Sequence, residues 1–571
     1  MQNARILVLD ADSNAGLAVV QSLGAAGYHC IVGGASKEGA AFTSRYVAES
    51  VLYPDPMTDA AAFKAWITSW VRERDVALVI PVTERTLVPL HEMRGELDVV
   101  KRVAMPSKAT LDRVLDKEQL RELAARLEIP VPASAIVTSA RDLADDRIDE
   151  WLREGAAVVK TIKSKVWNGQ AAKQFPVIVV RSRDELVRAV VERVEHVPVQ
   201  VQQWVPGRGL GVELLARDGE ILMSIAHERL HELPLTGGGS TYRRTIPMPA
   251  DLLEDARKLT RALAYDGVAM VEFRGDETTG RRWLVEINAR FWGSLPLAVF
   301  AGADFPKALV ELLVEGKVPS DSASRTDVYA RQIDRDLEWL KVTIKRRGRF
   351  AREELTKPLG RSLLEWGRVV TGRETWDGAS LRDPIPMVNE LRRIVGHEIE
   401  GVLDRTRRKA VRAAARRTSL RRATRYADAR KVLFICYGNI CRSPYAQYRL
   451  VEAAGGREVR SAGFHRTEHR PTTDAFLRAA RGRGIDLSSH RSRMLAEADL
   501  EWADLVVIMD QRNYEDLLRF NSAATNKVVW LGALDGAPIE IDDPYDMDEA
   551  HTATVLDRID RCLAVLTGAS Q

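Results

Sequence analysis

A chain of 571 residues is too long for one hydrophobic core and divides into about three or four domains at ordinary domain sizes. Its 45% apolar and 29% charged residues are those of a globular protein, and no apolar run approaches the roughly 18 residues of a membrane span. The net charge of +4 hides a basic segment: residues 405–431 hold twelve Lys or Arg against one acid, Asp428, which leaves −7 for the rest.

The chain opens on MQNARILVLDAD, which reads as a strand and lacks the charged-then-apolar pattern of a secretory signal. Up to residue 105, β runs (ARILVLDA, HCIVGGAS, VALVIPVTE) alternate with helical stretches such as NAGLAVVQSLGAAGY. That grammar predicts a parallel sheet with helices on both faces, and the first turn lacks the GxGxxG of a dinucleotide site. Residues 106–320 begin with an amphipathic helix in MPSKATLDRVLDKEQLRELAARLEIPVP and continue through strands AAVVKT and VQVQQWV. A glycine-rich loop, LTGGGSTYRRT, precedes two strands around a turn, VAMVEFRGDETTGRRWLVEINARFWGS. Residues 321–430 turn helical, polar and Arg-rich, with a break at SLRDPIPM. Such a basic run suits nucleic acid or an acidic membrane, but Val411, Leu420 and Tyr426 make no insertion face, so a solvated helical linker is the expectation. From residue 431 to 568 the βα alternation returns.

Four cysteines, Cys30, Cys436, Cys441 and Cys562, are too few and scattered for a disulfide framework or a zinc site, so a reducing cytoplasm is the expected compartment. Two of them fall in VLFICYGNICRSPYAQ, where an apolar strand stops at Cys436 and Arg442 and Ser443 precede Pro444. Proline suits the first position of a helix, so the loop between points successive backbone N–H groups at a helix N-terminus. Such a cradle binds dianions and favours a thiolate. The planar fork of Arg442 matches two phosphate oxygens, and Ser443 offers a hydroxyl to the sulfur or the loop. A phenolate leaving group has a conjugate acid of pKa about 10 and needs a proton donor. Downstream, IEIDDPYDMDEA supplies Asp543, its backbone restricted by Pro544, with Asp542 and Asp546 as neighbouring alternatives. A bare C-x5-R is weak evidence; strand, glycine-bearing loop, Ser-Pro and later Asp-Pro together are specific.

With these residues, VLFICYGNICRSP resembles the active-site loop of the low-molecular-weight protein tyrosine phosphatases. The likeness continues through RSAGFHRTEHRPTTDAFLRAARGRGIDLSSHRSRML, ADLVVIMDQRN and DDPYD. It implies Cys436 as nucleophile, Arg442 as phosphate ligand and Asp543 as general acid. Asn439, Ser443 and Ser461 are implied loop supports, and His490 belongs to a hydrogen-bond network behind the loop. Cys441 matches a second loop cysteine, with two roles open: a protective disulfide with the nucleophile, or packing. Tyr437 falls at the substrate mouth, and Tyr545 is placed to stack on an aryl group. No cofactor is expected here, and the substrate is a phosphotyrosine protein or aryl phosphate. An arsenate reductase uses a similar loop and is the alternative, but it needs a resolving cysteine pair and only Cys562 is at hand.

Earlier in the chain, Lys117 (LDKEQL) and Lys160 (AAVVK) are charges suited to nucleotide phosphates. Alternation along the paired strands puts Glu286 and Asn288 on one face, where Glu272 joins them. Two carboxylates and an amide oxygen are hard ligands for Mg²⁺, and Arg290 is placed to meet a transferring phosphoryl group. Ordinary surface lysines and an edge-strand polar pair would look alike on spacing alone. The order of PVTERT, MPSKATLDRVLDK, VVK, VQQWVPG, VEF and EINARFWGS resembles the ATP-grasp superfamily, with a Rossmann-like domain before it. The resemblance implies adenine on the backbone of Gln202, Gln203 and Val205, phosphates on Lys117, Lys160 and Arg290, and Mg²⁺ on Glu272, Glu286 and Asn288. Where many relatives carry a ribose-binding glutamate this chain has Gly209, with Glu213 as the substitute. HERLHELPLTGGGS, with Arg229 and Gly237 to Gly239, reads as a mobile loop over nucleotide and acceptor or as a plain turn.

The resulting expectation is an α/β multidomain protein: a Rossmann-like pre-ATP-grasp domain (1–105), an ATP-grasp α+β domain (106–320), a helical basic linker (321–430) and a doubly wound parallel-sheet phosphatase domain (431–568). ATP and Mg²⁺ serve the N-terminal half, whose acceptor is an unidentified carboxylate or amine, or whose nucleotide regulates the phosphatase without turnover. Nucleic acid is not an expected partner.

Overall fold

The computed structural model describes residues 4–95, 102–163, 165–167, 171–276, 278–319, 324–345, 359–452, 456–536, 538–545, 547 and 549–568. The chain divides into two units, Met1–Ile394 and Val395–Gln571.

In the first unit, the parallel strands Val47–Leu52, His29–Gly34, Arg5–Val8 and Leu78–Ile80 lie side by side in that order. Ile6 and Val8 pack into one core and Leu7 and Leu9 into another, which is why the run is apolar at every position: both faces are covered. An antiparallel sheet follows, ordered Ser134–Val137, Val199–Gln203, Ala157–Thr161, Ile178–Val180. A third sheet has seven strands: Arg282–Asn288, Gly267–Gly275, Arg208–Arg217, Glu220–Leu233, Gly239–Ile246, Tyr329–Arg331 and Glu374–Trp376. Its first five strands are antiparallel, and the helices Lys117–Arg126 and Ala250–Ala262 bury Leu120, Leu123, Leu252 and Leu259 against it.

The last two strands come from the segment expected to be a helical linker. Arg331, fully buried, explains why they escaped notice: it donates to Glu374 at 2.8 Å, pairs with Asp336, and lies over the rings of Tyr242 and Trp366. A three-residue strand ending in a buried arginine only makes sense once Glu374, 43 residues on, is in place. The glycine-rich loop is the tip of a hairpin: pairing runs to Leu233 and Gly239, leaving residues 234–238 outside the ladder, and Arg229 Nη1 donates to Gly238 O at 3.1 Å.

The second unit is built on a parallel sheet ordered Glu458–Gly463, Lys431–Cys436, Leu505–Ile508, Val528–Trp530. The first strand in sequence is central, so the chain winds outward both ways and leaves a crevice at its C-terminal end. The helix Ile385–Ala423 is more than a solvated linker: Ala415 and Ser419 are buried, Val411 packs beside Ala415, and Ser419 Oγ accepts from Trp530 N at 3.0 Å. No helix of the described residues is long and apolar enough to cross a membrane.

Candidate functional site

Cys436 closes the central strand at the mouth of the crevice, and the next helix, Arg442–Glu452, starts two residues before Pro444 rather than at it. Proline is tolerated throughout a first turn because those N–H groups have no intrahelical partner. The sulfur, 3% exposed, receives Asn439 N at 3.2 Å and lies 3.0 Å from Ser443 Oγ. Because Ser443 Oγ accepts from Asn439 Nδ2 at 3.0 Å, its own hydrogen is left for the sulfur. Asn439 Nδ2 also donates to Ser461 Oγ at 2.9 Å, and its Oδ1 accepts from Arg493 N at 3.0 Å. His490 Nε2 donates to Asn439 O at 2.8 Å; burial holds this imidazole below its ordinary pKa, against the pull of that bond. Gly463 is needed beneath the loop: a Cβ there would fall 2.7 Å from Tyr437 O.

Arg442 is buried and spends its fork on the other wall. Nη1 donates to Asp510 Oδ2 at 2.6 Å and Ile541 O at 2.8 Å, and Nη2 to Asp543 Oδ2 at 2.7 Å, a carboxylate half exposed at the rim. Cys441 is buried, its thiol pushed up by burial and by the charges of Cys436 and Asp543. Asp542 is exposed beside the site, and Asp546 lies outside the described residues. Cys562 is fully buried within the helix Glu549–Thr567, its thiol pushed up to about 12 by burial, which removes it as an accessible resolving thiol. Asp510 carried no role in the sequence reading; its signal was an acid just past a buried strand, capping the helix Gln511–Phe520.

In the first unit, Lys160 faces Gln200 across paired strands, and both line a narrow cavity with Lys117, Gln202, Val131 and Leu284. Burial and the neighbouring Lys117 bring the Lys160 ammonium down to about 8. Gln200 Oε1, buried in this wall, has no hydrogen-bond partner among the described residues. Gln203 turns elsewhere: its N–H donates to Ala133 O at 2.8 Å and its side chain to Glu154 at 3.0 Å. Val205 lies buried in the connection to the next strand.

Glu272 and Glu286 stand directly opposite on the paired strands, and Asn288 Nδ2 donates to both, at 3.0 and 3.2 Å. Burial raises the Glu272 carboxyl, with Arg229 Nη2 2.6 Å away opposing it. Glu286 is lowered: burial would raise it, but Lys117 and Lys160 prevail. Arg290 donates to Asn288 Oδ1 at 2.9 Å and lies 3.5 Å from Glu84. Asp10, buried at the end of the first strand, accepts from Thr83 N, Arg85 Nε and Thr86 Oγ1 at 2.8, 3.1 and 2.6 Å and so holds the PVTERT turn that carries Glu84. Glu213, the expected substitute for a ribose-binding glutamate, is buried: it accepts from Ser294 Oγ at 2.7 Å and lies 3.0 Å from His227 Nδ1. Among the described residues no group of three or more His, Cys, Asp or Glu is arranged to hold a metal.

Residues 431–570 match the family model of low molecular weight phosphotyrosine protein phosphatases, and residues 195–335 match "ATP-grasp in the biosynthetic pathway with Ter operon". A Ralstonia nicotianae protein described as "Probable low molecular weight protein-tyrosine-phosphatase EpsP" is 34% identical over 114 residues, 20% of this chain and 77% of that one. The low molecular weight protein-tyrosine-phosphatase Ptp of Acinetobacter johnsonii is 30% identical over 135 residues, 24% of this chain and 94% of its own. Among solved structures, the L-amino acid ligase of Bacillus licheniformis is similar at 15% identity and TM-score 0.44, covering 58% of this chain and 79% of that one. The N-terminal half thus carries an ATP-grasp domain, and through residues 431–570 the chain belongs to the low molecular weight phosphotyrosine protein phosphatase family.

Proposed function

We propose that the second unit hydrolyses phosphotyrosine or aryl phosphate monoesters through a cysteinyl-phosphate. The observation that carries this is the pair of donors, Asn439 N–H and Ser443 O–H, on a sulfur that shares its crevice with Arg442. Backbone N–H groups and the Nε–Nη2 edge of Arg442 receive the equatorial oxygens: Nε has no partner among the described residues, and the phosphate takes the place of Asp543 on Nη2. The Cys436 sulfur attacks phosphorus as the P–O bond to the aryl group breaks, and Asp543 gives its proton to the departing oxygen. Asp543 then takes a proton from the water that attacks the phosphocysteine, freeing phosphate and the thiolate. Asp510 keeps the guanidinium aimed, while Asn439, Ser461 and His490 hold the loop. Cys436→Ser should abolish hydrolysis of p-nitrophenyl phosphate and leave ATP binding unchanged; substantial residual hydrolysis would sink the assignment.

For the first unit, we infer an ATP-dependent ligase that phosphorylates a carboxylate and lets an amine displace the phosphate. Transfer of the γ-phosphoryl group to the carboxylate oxygen gives ADP and an acyl phosphate, and attack by the amine nitrogen at the carbonyl carbon expels phosphate. Lys117 and Lys160 receive phosphates, and Arg290 meets the transferring group. The adenine lies along Gln202, Gln203 and Val205. Gln203 N–H is already bonded and so is not free to donate to an adenine ring nitrogen, while the orphaned Gln200 Oε1 is an acceptor for the adenine amino group.

Glu272, Glu286 and Asn288 fit magnesium in donor chemistry: two facing buried carboxylates, balanced here by Arg229, Lys117 and Lys160, and an amide whose oxygen now serves Arg290. Charge neutralisation on the polyphosphate is what magnesium supplies there. Glu286→Ala should weaken Mg-dependent nucleotide binding, measured by calorimetry, without changing the phosphatase rate. Unaltered Mg-ATP affinity would count against this set. ATP as substrate and an unpaired nucleophilic thiol both suit a reducing cytoplasm.

A further inference from the structure

Tyr437, the residue after the nucleophile, is gripped from two sides. Its carbonyl accepts from Phe464 N and His465 N at 2.9 and 3.0 Å, and its ring meets the His465 ring edge-on at 5.7 Å. On the other side the Arg512 guanidinium lies over the ring, Cζ 3.4 Å from the centroid. Arg512 itself is anchored near the catalytic fork: it stands two residues after Asp510, whose carboxylate accepts from Arg442. Yet its side chain is 60% exposed. Among the described residues its nitrogens donate no hydrogen bond, and its one acidic neighbour, Asp516, is 3.8 Å away. A second cation, Arg470, borders the same loop through a 2.7 Å bond to Gly438 O.

An exposed arginine on a free stem gains little from an ion pair, because ordering the stem offsets the attraction. Stacking removes that cost beforehand: the ring desolvates one face and fixes the plane, leaving the N–H edge pre-set for a carboxylate. Its place at the rim means that any group it binds is carried by the chain flanking the phosphorylated residue.

We propose that Arg512, held over the ring of Tyr437, is a specificity residue that receives an acidic side chain next to the phosphotyrosine, so that the substrates of this site are acidic phosphotyrosine segments. The inference rests on the phosphatase reading above. The test uses the full chain and three substrates: p-nitrophenyl phosphate and two phosphotyrosine peptides that differ only in Glu or Lys at the flanking positions. The unaltered protein should favour the Glu peptide by about tenfold in kcat/KM, less at high salt. Arg512→Gln should bring the two peptides to within about twofold, through KM, with p-nitrophenyl phosphate turnover unchanged. Arg512→Lys, which keeps the charge but loses the fork, should fall between. Equal rates on the two peptides in the unaltered protein, or an undiminished preference in Arg512→Gln, would overturn the proposal while leaving the phosphatase reading intact. Failure to hydrolyse any of the three substrates would overturn both.

Discussion

The Asn439 side chain bonds Ser443, Ser461 and the Arg493 backbone while its own backbone sits at φ 50°. Asparagine tolerates that left-handed conformation better than other residues with a Cβ, because its short amide satisfies local groups. Asn439→Ala removes three bonds at once and leaves Ser443 free to turn from the sulfur. It should lower kcat on aryl phosphates by about 10- to 100-fold and destabilise the unit by about 2–3 kcal/mol, read from stopped-rate assays and urea unfolding. Lys160 supports a prediction of pH dependence. Its ammonium pKa is depressed to about 8 by burial and by Lys117, so the charge is full well below pH 8 and lost as pH rises through it. ATP affinity should therefore fall between pH 7 and about 9, with a proton taken up on binding in that window. Lys160→Arg, charged throughout, should flatten the profile in calorimetric titrations.

Among the secondary elements, the short strands Tyr329–Arg331 and Glu374–Trp376 depend on a buried charge network more than on apolar burial. Arg331 pairs with Asp336 and Glu374, Tyr242 OH donates to Glu374 at 2.9 Å, and His231 Nδ1 lies 2.8 Å from Asp336 while its ring stacks on Trp339. Removing one member of such a set strands the others without water or partner. Arg331→Leu should cost about 3–5 kcal/mol in denaturant unfolding of the first unit, far more than a surface arginine. Tyr329, Thr375 and Trp376 are good strand formers, but three-residue runs are too short to announce a strand. The pairing of Arg331 with Glu374, 43 residues away, is invisible in so short a window.

At the scale of the chain, the helix Ile385–Ala423 carries a consequence for where the second unit begins. Its later turns cover Trp530, and Arg412 pairs with Glu540 at 2.5 Å, three residues before Asp543. A fragment starting at residue 431 would expose Trp530 and leave its neighbours half covered. Such a fragment should unfold at lower urea than one starting at residue 395, with a smaller m-value, since m follows the surface buried on folding. Equal midpoints for the two fragments would show that the helix adds nothing to the unit.

Local chemistry sufficed for much of this protein. The buried parallel strands announced themselves as apolar runs, and the cysteine loop as strand, glycine, arginine and Ser-Pro at fixed spacing, because each is dictated by backbone geometry within a dozen residues. Cys436, Arg442 and Ser443 could be named for that reason, and Asn439 only through the family resemblance. Asp510, Gln200 and Arg512 could not: each meets its partner from a separate strand or loop, and only pairing across the sheet or over a ring gives it that neighbour. The same holds for Glu213, a free carboxylate on paper that folding buries against Ser294 and His227, and for the helix read as a linker, whose covered face exists only once the phosphatase sheet has formed beneath it.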